Sequence, residues 1–181
     1  MCTEIEAKLK VDSLRKIERR LSELGASFIA EQLQVDYHFD DTNATFAKTG
    51  RCLRLRCQKD GKGERFFLTY KGAKEKSKFK KRQEIEIEVK APNPAGKLLS
   101  ALGYEEVLVI EKTRRLWQLD DCEVALDRLH LLGNFVEIEG PDEQKIAQLQ
   151  ANLGLSDLPH IQKSYAALTS NKIRELGKKQ L

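Results

Sequence analysis

From its first residues the chain alternates. Glu4, Glu6 and Lys8 interleave with Ile5, Ala7 and Leu9, a period of two that puts charges on one face of a strand and apolar groups on the other. The alternation returns in Glu84, Glu86 and Glu88 against Ile85, Ile87 and Val89, and in Glu137 and Glu139 around Ile138. Strands are predicted over 3–11, 27–40, 52–56, 66–71, 82–90, 106–119, 122–128 and 134–139, with Gly61 and Gly63 marking a hairpin turn. Elsewhere the apolar spacing becomes helical. Leu14, Ile17, Leu21 and Leu24 share a face that Asp12 or Ser13 would cap and Gly25 would end. A second helix starts at Asn93 and Pro94 and stops at Gly103, a third runs from Pro141 to Gly154, and a last spans 162–177. Residues 41–50 read as a loop, the Lys-rich 72–81 as a mobile basic loop, and 178–181 as a frayed tail.

A weak internal repeat links these elements. Glu4-Ile5-Glu6, a helix and Leu24-Gly25 lead to Tyr37-His38-Phe39-Asp40-Asp41; Glu84-Ile85-Glu86, a helix and Leu102-Gly103 lead to Trp117-Gln118-Leu119-Asp120-Asp121. No linker divides the copies. Residues 1–181 are therefore expected to form one domain, with its core over about 3–170 and a helix end and tail over 171–181.

The charged strand faces carry both signs: Glu4, Glu6 and Lys8; Arg54 and Arg56; Lys71; Arg82, Glu84 and Glu86; Lys112 and Arg114; Asp127; Glu137 and Glu139. If the antiparallel sheet closes, these faces line a wet, charged lumen and the apolar faces turn outward beneath helices. The fold expected is α+β, a closed barrel of about eight strands with a polar tunnel and helices packed outside.

Composition narrows the function. The 32 basic and 28 acidic residues nearly cancel, which argues against a nucleic-acid or membrane binder, where one sign should dominate a face. No apolar run could span a bilayer, and no signal peptide precedes the first strand. Cys2, Cys52, Cys57 and Cys122 lack zinc-ligand spacing and read as reduced thiols of a cytoplasmic protein. His38, His130 and His160 are scattered, so a His-based metal site or a Ser/His/Asp triad has little support. Oxygen ligands suit Mg²⁺ or Mn²⁺, and Arg and Lys suit phosphate oxygens. One Glu-x-Glu pair alone is an ordinary solvated strand face; the joint pattern points to a metal-bound polyanion. Tyr165 and Trp117 read as packing residues.

The residues Glu4-x-Glu6-x-Lys8 resemble the ExExK signature of the CYTH superfamily, the triphosphate tunnel metalloenzymes. The resemblance continues in order through Leu53-Arg54-Leu55-Arg56, Thr69-Tyr70-Lys71-Gly72, Arg82-x-Glu84-x-Glu86, Ile110-Glu111-Lys112-x-Arg114, Leu126-Asp127, Phe135-x-Glu137-x-Glu139 and Ser164-Tyr165. It implies that Glu4, Glu6, Asp127, Glu137 and Glu139 are metal-side carboxylates. Lys8, Arg54, Arg56, Lys71, Arg82, Lys112 and Arg114 would clamp the triphosphate. It also places Glu84 and Glu86 in the tunnel and makes Lys163 the candidate basic residue closing over the phosphates from the C-terminal helix. The implied activity is that of a class IV adenylyl cyclase, forming cyclic AMP and pyrophosphate from ATP. The alternatives are a triphosphatase acting on tripolyphosphate, thiamine triphosphate or nucleoside triphosphate, and a non-catalytic polyphosphate- or nucleotide-binding module. The outer barrel face and helices would support a homodimer.

Overall fold

The computed structural model describes residues 2–75 and 79–178. Eight antiparallel strands close into a barrel: β1 (Cys2–Val11), β2 (Ser27–Asp40), β3 (Cys52–Asp60), β4 (Gly63–Lys71), β5 (Lys80–Val89), β6 (Glu105–Leu119), β7 (Cys122–Leu129) and β8 (Gly133–Glu139). Around the barrel the order is β1-β5-β4-β3-β2-β6-β7-β8, so β8 returns to β1 and the sheet closes on itself. Among the described residues five helices accompany them: α1 (Leu14–Glu23), α2 (Thr45–Thr49), α3 (Pro92–Ala101), α4 (Glu143–Asn152) and α5 (Tyr165–Lys178).

The alternation decides which way the sheet turns. Ala7, Leu9, Val124, Leu126, Val136 and Ile138 face outward and are buried beneath Ile17 and Leu21 of α1 and Ile146 and Leu149 of α4. A second outer cluster joins Phe39, Leu53 and Leu55 to Leu99 of α3. A third forms on the inward parity. Ile110, Leu129 and Phe135 lie on the strand faces that also carry Lys112, Asp127 and Glu137, and they pack with Tyr165 at the start of α5. This apolar plug leaves the charged cavity between itself and the other end of the barrel.

The structure departs from expectation at several ends. Residues 41–50 contain α2 rather than only loop. Asp41 Oδ1 accepts from Thr45 N at 2.9 Å, while Asp40 accepts from Phe46 N and Ala47 N, each at 2.9 Å, so two carboxylates satisfy the first-turn N–H groups. Gly50, at φ +70°, ends the turn in the left-handed region. Ser13 stands at the N-cap of α1 with no capping bond from its side chain. In α4 the cap is Asp142, which accepts from Lys145 N at 2.8 Å, so the helix begins beyond Pro141. The last helix begins at Tyr165, not 162. The basic loop is shorter than expected, because Lys80 and Lys81 belong to β5 and pair with Glu6 and Ile5. Residues 76–78 of that loop and 179–181 of the tail lie outside the described residues. Cys52, Cys57 and Cys122 are free thiols.

Leu9 is fully buried in the largest cluster. Leu9→Ala is expected to cost about 2–5 kcal/mol of unfolding free energy in urea denaturation, with the m-value unchanged.

Candidate functional site

Strand register places opposite charges face to face. Glu4 lies opposite Arg82 and Glu6 opposite Lys80 across β1 and β5, and Lys8 lies opposite Glu137 across β1 and β8. Lys71 faces Glu84, Asp36 faces Arg56, and Arg114 faces Asp127. The side chains use this register. Lys71 Nζ donates to Glu4 Oε1 at 2.7 Å and reaches Glu84 at 2.6 Å. Arg56 grips Asp36 through two bonds of 2.6 and 2.8 Å, and Arg114 grips Asp127 through two of 2.7 and 2.6 Å while also reaching Glu137 at 2.5 Å. Lys8 pairs with Glu137 at 2.9 Å and lies 3.7 Å from the centre of the Tyr165 ring. Tyr165 OH donates to Asp127 Oδ2 at 2.9 Å, giving this aromatic a polar role beside its packing. Trp117 packs in the outer core.

These groups line a cavity of about 240 Å³. Seven cations (Lys8, Arg54, Arg56, Lys71, Arg82, Lys112, Arg114) meet eight carboxylates (Glu4, Glu6, Asp36, Glu84, Glu86, Glu123, Glu137, Glu139) on its wall. Their titration reflects this balance. Burial alone would raise Asp36 and Glu137, yet Arg56 and Arg54 hold the first, and Lys8 and Arg114 the second, well below the usual carboxylate range. Arg114 is pushed well above its ordinary value because Asp127 and Glu137 outweigh its burial. Lys112 goes the other way: burial and the neighbouring Arg114 push it down to about 7. Burial also pushes His38 down to about 4, against the pull of Asp36.

The exception to charge alternation is a row of three acids. Glu6 and Glu123 both lie directly opposite Glu139. Like charges so placed repel. Burial, then Glu4 and Glu123, raise the Glu139 carboxyl to about 7, although the residue is exposed where the cavity meets solvent. Among the described residues no three acidic, His or Cys groups are arranged to hold a metal ion by themselves. The oxygen donors nevertheless fit a hard cation of the Mg²⁺ type, which takes one or two carboxylates and fills its remaining positions with water and substrate phosphate.

Thirteen of the fifteen residues singled out from sequence line the cavity directly, Glu84 and Glu86 among them, and Glu86 accepts from Thr69 Oγ1 at 2.8 Å. Asp127 is fully buried behind the wall, holding Lys112, Arg114 and Tyr165.

 Asp127 and Lys163 are the two that do not line it. Lys163 is exposed and lines a neighbouring cavity instead. Three charged groups were missed. Asp36 shares the inward parity of His38 on β2, a signal available in the alternation. Glu123 has the parity of Ala125 and Asp127, and Lys80, which donates to Glu6 at 2.8 Å, was hidden in a run of lysines.

The CYTH domain family matches residues 3–165, and the chain belongs to that family. A Methanocaldococcus jannaschii protein provisionally named an adenylate cyclase is 35% identical over 136 residues, 75% of each chain. Adenylate cyclase CyaB of Aeromonas hydrophila is 26% identical over 180 residues, 94% of this chain and 90% of that one. Among solved structures, the Pyrococcus horikoshii protein PH1819 superposes with a TM-score of 0.81 at 29% identity, covering 93% of this chain and 99% of its own.

His38 gives a pH test. Its imidazole binds a proton near pH 6.5 when unfolded but only near 4 in the fold, so the stability it contributes is complete above 6.5 and falls as pH drops toward 4. In an NMR titration its ring signals should stay fixed from about pH 8 to about pH 5, and His38→Gln should lose less Tm than the parent between about pH 7 and about pH 5. A His38 midpoint near the unfolded value would contradict this.

Proposed function

We propose that this protein is a divalent-metal-dependent enzyme acting on triphosphates held in the tunnel, and that it converts ATP to cyclic AMP and pyrophosphate. The observation that carries the reading is the near-cancellation of seven cations by eight carboxylates on one cavity wall. A pure polyanion site would gain nothing from so many acids. A metal–triphosphate supplies both signs, so the carboxylates can turn to the cation while Arg and Lys turn to phosphate oxygens. The adenylate cyclase names of the two curated relatives support the choice of reaction.

Glu4, Glu6, Glu137 and Glu139 would hold Mg²⁺ or Mn²⁺, with Asp127 fixing Lys112 and Arg114 behind them. The ion would supply Lewis-acid charge neutralisation at the phosphate oxygens. Arg54, Arg56, Lys71, Arg82, Lys112 and Arg114 bind the non-bridging oxygens and stabilise the charge that grows on the departing pyrophosphate. The ribose 3′-oxygen bonds to the α-phosphorus as the bond from that phosphorus to the α,β-bridging oxygen breaks. The hydroxyl proton leaves to solvent, and the bonding pair goes with pyrophosphate. Lys8, kept charged by Glu137 and Glu6 against its burial, stays anchored over Tyr165.

Glu137→Gln is expected to reduce turnover at least about a hundredfold with the thermal transition retained, since it removes a metal-side charge and a partner of Lys8 and Arg114. Full activity in that variant would overturn the metal assignment. Chromatography of products from ATP, tripolyphosphate and thiamine triphosphate with Mg²⁺ or Mn²⁺ identifies the reaction. Cyclic AMP with pyrophosphate is the expected outcome; orthophosphate without cyclic AMP would make the protein a triphosphatase. Absence of turnover together with metal-independent binding would make it a binding module.

A further inference from the structure

Beyond the ion pairs, the barrel interior holds three glutamines. Gln32 and Gln34 share the inward parity of Asp36 on β2, and Gln58 shares that of Arg56 on β3. All three are buried, Gln34 to 1% exposure. The Gln34 amide nitrogen donates to Gln32 Oε1 at 2.8 Å and to Gln58 Oε1 at 2.9 Å. Both of its N–H groups are therefore spent, and the amide plane is fixed. The Gln34 amide oxygen has no donor among the described residues, an uncommon state for a buried polar atom and one that destabilises the fold unless something reaches it.

Lys112 on β6 lies directly opposite Gln34 across the ladder, also on the inward parity. Its ammonium is buried and carries three N–H donors. Among the described residues it makes one hydrogen bond, a long one of 3.3 Å to Asp127 Oδ2. Asp127 has little left to offer it. Arg114 takes both carboxylate oxygens at 2.7 and 2.6 Å, and Tyr165 OH adds a bond of 2.9 Å to Oδ2. A buried oxygen without a donor thus stands opposite a buried ammonium with N–H groups to spare. The nitrogen branch of the Gln34 amide reaches along β2 and toward β3, which leaves the oxygen branch for β6. Turned over, the amide would set its own N–H groups against the ammonium, so Lys112 fixes which branch faces it. No direct hydrogen bond joins the two. Side chains directly opposite on neighbouring strands start about 5 Å apart, near enough for one water to bridge them.

We propose that Gln34 is a positioning residue for Lys112: its amide oxygen takes one N–H of the ammonium through a single buried water, gives the lysine a second fixed point besides Asp127, and so aims its other N–H groups into the tunnel at phosphate oxygens. The inference rests on the tunnel reading and adds to it a residue that does not itself line the cavity.

Calorimetric titration of the full chain and its variants with tripolyphosphate and Ca²⁺ tests it, since this probe reports the clamp without a head group. Gln34→Met keeps the length of the side chain and removes its polar atoms. It should weaken tripolyphosphate about tenfold, the size of a hydrogen bond to a charged group. In the Lys112→Met background the same change should cost less than about twofold, because the partner is gone. A loss that came from packing alone would be equal in both backgrounds. Gln34→Asn keeps an amide but withdraws its oxygen by one methylene, and it carries the same test if the Met variant does not fold. A second readout is the Lys112 ammonium signal in a ¹H–¹⁵N spectrum, assigned by its disappearance in Lys112→Met. It should move in either Gln34 variant, and it decides alone if Lys112→Met loses measurable binding. Equal losses in the two backgrounds, no loss in either, or an unmoved Lys112 signal would overturn the positioning role while leaving the tunnel reading in place. Failure of tripolyphosphate to bind the parent would instead remove the tunnel reading, and this inference with it.

Discussion

Charge neutrality inside a closed barrel is the constraint on which the rest of the structure depends. An ion removed from water without a partner costs several kcal/mol, and this lumen encloses many. Cross-strand register supplies the partners: Glu4 against Arg82, Lys8 against Glu137, Asp36 against Arg56, Asp127 against Arg114. A slip of one residue would turn the charges outward and bring Ile5, Ala7 and Leu9 inward, so the pattern that builds the site also fixes the pairing. The helices follow from the same rule, since the faces turned away from the lumen are apolar and α1, α3 and α4 cover parts of them.

Neutrality also shapes what the cavity can accept. Every strong grip on its wall is an internal one, such as Arg56 on Asp36 or Lys71 on Glu4 and Glu84. An anion alone would have to part these pairs and leave carboxylates stranded. A ligand carrying both signs exchanges partners with less loss, and within the acidic row, where Glu6 has Lys80, Glu139 and Glu123 are the carboxylates that no cation pairs among the described residues.

The alternation in the sequence revealed the barrel, the inward faces and most of the charged lining, because a period of two survives in any strand whose two faces meet different surroundings. What it hid has physical causes. Lys80 sits in a run of basic residues where Phe79 is the single large apolar side chain and Lys81 and Arg82 break the alternation, so strand and loop look alike. Asp36 was not hidden in this way: with Gln34 and His38 it alternates against Val35 and Tyr37, so its inward parity was legible. The helix at 45–49 is too short for a 3.6 period and is held by Asp40 and Asp41, a contact that composition reads as loop. Ile110, Leu129 and Phe135 are apolar yet point inward, because they close the lumen rather than cover its outside.

The first strand has a consequence for biosynthesis. β1 pairs with β5 on one side and with β8 on the other, so Glu4 and Lys8 leave the ribosome long before their partners exist. The ring closes only when Glu137 and Glu139 have emerged, and pairings so distant in sequence form slowly. Until then β1 is an amphipathic ribbon with unmatched charges and a bare apolar face, the kind of segment that chaperones bind. A nascent chain cut short before β8 would therefore carry nearly every tunnel residue and still have no tunnel.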